Sequence, residues 1–283
     1  MMTKYVYFTA ILLLTIHNLW SQNRIKEDTI EYKIKYDFIY MNDTIDKVYA
    51  SPVSFTLFRI RHFSRFLSSA ICYNDSIFKH FYDKHPEPVF SSAEVVQKYM
   101  EKRALLPPMK GIRSEININK DFNKGLFQSK IPLTFVNKYM EESLVQNWSL
   151  TDEVDTIMGL VCSKATTKYG GRKYLAWFTP EIPVMDGPYV FAGLPGLILR
   201  VKDDEDFYIF EATEIQVGRQ SMFYDPEIIN KYSQKLDRKT FVEDIIKFKN
   251  SPYVLGRLNS TAEEKLALKK RYLSRMDLLI EKY

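Results

Sequence analysis

Residues 29–40 alternate without a break: Ile30, Tyr32, Ile34, Tyr36 and Phe38 are apolar or aromatic, and Glu31, Lys33, Lys35 and Asp37 between them are charged. A period of two sustained over that length is a β-strand with one buried and one solvated face. Such a strand cannot stand alone, because its backbone donors and acceptors need neighbouring strands. The same pattern returns later. Tyr174, Ala176 and Phe178 alternate with Lys173, Leu175 and Trp177 directly after Tyr169-Gly170-Gly171-Arg172, a hairpin turn. Tyr208, Phe210 and Ala212 alternate with Phe207, Ile209 and Glu211 beyond Asp203-Asp204-Glu205-Asp206, an acidic run that reads as a solvated hairpin end. The 19 Tyr and 19 Phe suit strands that are apolar on one face and amphipathic on the other. The expected fold is mainly β: a single antiparallel β-rich domain with a curved or sandwich-like sheet and short helices, α+β overall.

The N-terminus points to export. Lys4 precedes an apolar run over residues 5–19, and Ser21 stands as a small residue before a cleavage point at Gln22. Residues 1–21 therefore read as a secretory signal peptide, and no cysteine at the cleavage point provides for a lipid anchor. No later apolar run reaches the roughly 20 residues needed to span a membrane. The mature chain is expected in a periplasm or outside the cell, with a β-rich domain over 22–220 and a helical segment over 221–283 packed on the same domain. A net charge of +5, with Lys and Glu mixed along the chain, gives no basic patch with interleaved aromatic platforms, so no nucleic-acid partner is expected.

Other stretches leave alternatives open. In residues 53–71, Phe55, Leu57 and Arg59 would share one side of a strand pair, whereas a helix would join Phe55, Phe58, His62 and Phe66. Ser91-Ser92-Ala93-Glu94 has a capping-box look, which predicts a helix over 92–105 stopped by Pro107-Pro108. Ile116, Ile118, Lys120 and Phe122 alternate with Asn117, Asn119, Asp121 and Asn123, a strand before the turn at Gly125. Thr151-Asp152-Glu153 reads as a turn, and Gly159 as a bulge or close crossing. Thr240 opens a second short helix ending near Pro252, and Leu266, Leu268, Leu273, Met276, Leu279 and Ile280 form a stripe on a terminal one. His80, Asp83, His85 and Glu87 are suited to a divalent ion, yet no paired His or Cys spacing accompanies them, so neither metal nor cofactor is expected. Cys72 and Cys162 are the only cysteines; in an oxidising compartment they could form one disulfide, and otherwise they serve as small buried thiols.

Residues 187–198 change the chain's character. Gly187, Pro188, Gly193, Pro195 and Gly196 make a stiff turn, from which Leu197, Ile198, Leu199 and Val201 leave as a buried strand. The stretch resembles the GLPGLI family, secreted proteins of Bacteroidetes named after the hexapeptide found here as Gly193-Leu194-Pro195-Gly196-Leu197-Ile198. The likeness runs upstream through Trp148, Gly159, Cys162, Lys164-Ala165, Gly171-Arg172, Ala176-Trp177-Phe178, Glu181-Ile182-Pro183 and Gly187-Pro188. A weaker match lies around Asn74 and Ser76-Ile77-Phe78; Cys72 has no counterpart, and nothing after about residue 220 matches. The resemblance implies export and a β-rich domain, and it brings no established activity.

The motif region's side chains set the candidates for function. Arg172, Trp177, Glu181, Asp186 and Tyr189 are the candidate ligand-binding residues, with residues 187–188 and 193–198 as their scaffold. Arg172 would either pair with Glu181 across adjacent strands or hold a carboxylate in its planar fork. No nucleophile motif is present, so no catalytic residue is named. The leading expectation is an exported, non-catalytic binding or chaperone-like module for an apolar or peptide ligand. One alternative is a carboxylate-dependent hydrolase using Glu181 and Asp186, and another is a structural component of an envelope protein complex.

Overall fold

The computed structural model describes residues 27–43, 48–69, 72, 92–104, 116–132, 137–223 and 233–249. Along the chain these form β1 (Glu27–Asp43), β2 (Val48–Tyr49), β3 (Val53–Ile60), β4 (Phe63–Ser68), α1 (Ala93–Ala104), β5 (Asn117–Asp121), β6 (Leu126–Pro132) and β7 (Asn137–Ser143). They continue as β8 (Ser149–Ile157), β9 (Leu160–Tyr169), β10 (Arg172–Thr179), β11 (Leu197–Asp203), β12 (Tyr208–Phe223), β13 (Ser233–Lys235) and α2 (Arg238–Lys249). The signal segment, the 80–88 histidines and carboxylates, the weak match near Asn74 and the terminal apolar stripe lie outside the described residues.

The chain is mainly β, as the alternation predicts. All 13 strands belong to one sheet in the order β13-β7-β6-β5-β4-β3-β1-β12-β11-β10-β9-β8, with β2 attached to β1. The β13–β7 pair is parallel and the remaining pairs are antiparallel, so the sheet is mixed. It curls without closing. Phe127 on β6 meets Tyr169 on β9 with ring centroids 6.4 Å apart, and the Tyr169 hydroxyl lies 3.4 Å from Glu142 on β7.

The inner face carries the core. Ile34, Tyr36 and Phe38 of β1 are buried there with Phe55 and Leu57 of β3, Phe66 of β4, Tyr174 and Ala176 of β10 and Phe210 of β12. Phe38 stacks on Phe210 at 4.3 Å, and Phe55 on Phe66 at 4.9 Å. Such offset rings contribute about 0.5–1.5 kcal/mol per pair beyond the area they bury.

Several local readings are resolved. Residues 53–68 are the strand pair, reversing at Arg61 and His62, so Phe55, Leu57 and Arg59 do share the inner face. Helix α1 begins one residue later than a Ser91 cap would place it: Ser92 Oγ accepts from the Val95 N–H at 3.2 Å. Asp237, not Thr240, caps α2, its Oδ1 accepting from the Thr240 N–H at 3.0 Å. Thr151-Asp152-Glu153 is not a turn but an irregularity inside β8, where the register with β9 shifts between Leu150 and Val154. The chain reverses instead at Met158 and Gly159, which both take positive φ. No disulfide joins Cys72 to Cys162; Cys162 is buried on β9 and its Sγ donates to the Leu160 carbonyl at 3.5 Å.

Between β10 and β11 the chain enters the curl. Residues 186–192 are all buried, an unusual place for a loop, since buried backbone must find partners. The entrance is fixed by Gly196, where a Cβ would lie 2.1 Å from the Thr179 carbonyl oxygen. Gly193, at φ +90°, has nothing within 4 Å of the same virtual atom. Backbone contact at Gly196 is therefore the harder constraint. Gly196→Ala is expected to destabilise the fold by roughly 2–4 kcal/mol in urea unfolding, and Gly193→Ala by about 1–2 kcal/mol. Equal losses would show that the close approach does not hold the loop.

Candidate functional site

Two constellations stand out, one inside the curl and one outside. The inner one begins with the alternation of β5, which turns Ile118 and Lys120 to the core side. Cross-strand pairing then sets Arg59, Ser64 and Lys120 in one row over β3, β4 and β5. The buried Lys120 ammonium donates to Asp186 Oδ1 at 2.8 Å, to the Gly187 carbonyl at 2.6 Å and to the Phe191 carbonyl at 2.9 Å. Three acceptors match its three protons. Asp186 Oδ1 also takes the Gly187 N–H at 2.8 Å, while Oδ2 faces Arg59 at 3.6 Å. Burial lowers the pKa of Lys120 and of Arg59, and Asp186 opposes both shifts. Tyr36, pushed well above the usual phenol range by burial and by Asp186, donates to the Ile198 carbonyl at 2.8 Å.

The rest of the loop is tied down as completely. Gln146 donates to the Val190 carbonyl at 3.1 Å and accepts from the Ala192 N–H at 3.0 Å, and the Trp148 indole donates to the Ala192 carbonyl at 2.8 Å. Tyr189 stacks on Phe210, with 6.0 Å between centroids. The interior is thus filled by the chain's own loop.

The outer constellation lies on the opposite face. Register places Asp37, Glu211, Arg200, Trp177 and Lys164 in one row across β1, β12, β11, β10 and β9. Arg200 donates to Glu211 Oε1 at 2.6 Å and to Asp155 Oδ2 at 2.9 Å, and its guanidinium lies 5.5 Å from the Trp177 ring. Lys164, bonded to Glu153, lies over the same ring at 5.5 Å. Burial works to lower the Arg200 pKa, but Glu211 and Asp155 outweigh it and raise it. Arg200 reaches from β11 to Asp155 on β8 across two intervening strands, which requires this part of the sheet to curl outward around Trp177. The tip of the β8–β9 hairpin closes over the row, leaving a groove of about 310 Å³ lined by Asp37, Ile39, Thr156, Met158, Arg200 and Glu211, among others. Among the described residues, no ion pair or hydrogen bond engages the Asp37 side chain.

The sequence candidates divide between these places. Asp186 and Tyr189 belong to the inner loop and Trp177 to the outer row. Arg172 does not pair with Glu181: it donates to Asp203 at 2.9 Å and lies 3.3 Å from Glu205. Burial raises the Asp203 pKa, opposed by the Tyr208 N–H and by Arg172. Glu181 is exposed and takes the Val161 N–H at 3.1 Å, so it shares no cleft with the buried Asp186. Lys120, Arg59, Gln146, Asp37, Arg200 and Glu211 were not among the candidates. For Lys120 the signal was its place in the alternation Ile116, Ile118, Lys120 and Phe122, which runs through β5 and one residue to either side. No group of three or more metal-ligating side chains occurs among the described residues, and no helix there is long and apolar enough to cross a membrane.

Breaking a buried ion pair from one side leaves an uncompensated charge, at a cost of about 3–5 kcal/mol. Lys120→Met and Asp186→Asn should each lose that order of stability in urea unfolding. The double variant should lose clearly less than the sum. Additive losses would mean that the two groups do not act as a pair.

The family model described as "Protein of unknown function (Porph_ging)" matches residues 170–200, the segment from β10 through the buried loop into β11. No curated protein matches the sequence. Among solved structures, PNGF-II in its P21 crystal form is similar with a TM-score of 0.49 at 15% identity, over 78% of this chain and 34% of that one. The C2 form gives 0.48 at 15% identity, over 78% and 33%. The chain thus spans about a third of the length of PNGF-II. An uncharacterized conserved protein from Thermus thermophilus has a TM-score of 0.35 at 8% identity, over 80% of this chain and 99% of that one.

Proposed function

We propose that the protein is an exported, non-catalytic binding module whose groove outside β1 and β12 takes a basic side chain of a peptide. The groove carries the reading. Its polar wall offers Asp37, which pairs across β1 and β12 with Glu211, itself engaged by Arg200 through Oε1, while Ile39 and Met158 supply apolar surface. A Lys or Arg side chain matches that combination, with an apolar stem and a cationic head. An anionic ligand fits poorly, because Arg200 already serves two carboxylates. A purely apolar ligand would cover charged groups without compensating hydrogen bonds. Export rests on the charged-then-apolar pattern of residues 1–21.

The test uses N-acetyl-arginine amide and its neutral isostere, N-acetyl-citrulline amide. The arginine compound should shift the backbone amide resonances of Thr156 and Thr213, both of which line the groove, and bind several-fold more tightly, a difference of about 1 kcal/mol for a partly exposed charge pair. Asp37→Asn should abolish the preference. Equal affinity for the two compounds would refute the reading.

A further inference from the structure

Among the described residues the strand order ends at β13 and at β8, and the two ends are treated differently. At one end β13 has only three residues, and its Lys235 pairs with Glu141 at 2.7 Å. A short strand carrying a lysine is a standard guard against edge-to-edge pairing. At the other end β8 has nine residues with the sequence SLTDEVDTI, free of Lys and Pro. No described strand covers it beyond β9. Ile157 is packed in the core, but the other two apolar side chains are displayed: Leu150 is 63% exposed and Val154 65%, next to Val161 of β9 at 54%. Register shows that these three share a side. Leu150 lies opposite Ala165 and Val154 opposite Ser163, both on the side of the sheet that Val161 also takes.

We infer that β8 is a strand-addition site for an extended partner segment that alternates apolar and basic residues. Such a strand would continue the hydrogen-bond ladder outward and set its apolar side chains against Leu150 and Val154. Charge selects its other residues. The strand carries Asp152, Glu153 and Asp155 and no cation; Lys164 of β9 pairs with Glu153 and Arg200 of β11 with Asp155, so among the described residues Asp152 is the carboxylate left to draw a basic segment. A second copy of the chain fits badly: antiparallel self-pairing centred on Glu153 sets Glu153 against Glu153 and brings the flanking aspartates into the same junction. The inference rests on the binding-module reading and extends it. The hairpin that ends β8 also walls the groove through Thr156 and Met158, so one basic segment could engage edge and groove together.

The probe is the peptide acetyl-Lys-Val-Lys-Val-Lys-Val-Lys-amide, with a Glu-for-Lys version as control. Added to the intact mature protein, the Lys peptide should slow amide hydrogen exchange within residues 149–157 and bind at least about fivefold more tightly than the Glu peptide. Val154→Lys changes an exposed side chain, so the fold should survive while affinity for the Lys peptide drops about fivefold or more. Equal binding of the two peptides, or binding without protection of β8, would overturn the inference. So would concentration-dependent dimerisation that protects β8 in the absence of peptide. N-acetyl-arginine amide is too short to pair with a strand and reports on the groove alone; a response to it without β8 protection would sink the edge site and leave the groove standing.

Discussion

The fold turns on one cation in its interior. A lysine ammonium taken out of water costs several kcal/mol unless its charge and every proton find partners, and Lys120 meets that condition with one carboxylate and two carbonyls. Those three acceptors all lie between residues 186 and 191. The lysine therefore does more than balance Asp186. It gives a loop that would otherwise bury unpaired carbonyls a reason to stay inside the sheet. Gln146 and Trp148 do the same for the carbonyls of Val190 and Ala192, and the loop returns two aromatic rings, Tyr189 and Phe191, to the core.

This arrangement gives the interior over to packing. Curled sheets often keep their ligands inside, but here the chain itself occupies that space. The residues with the strongest sequence signature, Gly187, Pro188, Leu194 and Gly196, serve to place the loop. Arg172, whose fork suits a ligand carboxylate, is engaged by Asp203. What the fold leaves available lies on the outside, where Arg200 and Trp177 line up because the register of β9 to β12 sets them in one row.

Much of the architecture was legible because it follows from alternation. The inward set of β1, the hairpin at Gly170-Gly171 and the paired faces of β12 all come from a period of two, a local property. Register between distant strands is not local. Lys120 and Asp186 stand 66 residues apart, and nothing near either one announces the other, although a lysine at an inward position of β5 required a buried partner somewhere. The same limit explains Arg172. Its neighbour Tyr174 pairs with Asp203 once β10 and β11 align, whereas Glu181, closer in sequence, leaves the sheet with the loop. The outer groove was hidden for a further reason: Asp37 reads as an ordinary solvated position until the turn at Met158 brings the hairpin tip over it.

The open edge has a cause in the chain's path. β7 and β8 are consecutive in sequence yet sit near opposite ends of the strand order. Had they paired, the curl would have moved toward closure and β8 would have lost its free side. The link between them, residues 144–148, crosses the seam instead. Its backbone and side chains are committed there: the Leu144 N–H donates to the Gly125 carbonyl at 2.8 Å, the Asn147 carbonyl accepts from Thr167 at 2.9 Å, and Gln146 and Trp148 hold the inner loop. A link bound to the loop in this way cannot also form a tight hairpin. The interaction that fills the interior is thus the one that keeps β7 from β8, and among the described strands β8 is left paired with β9 alone.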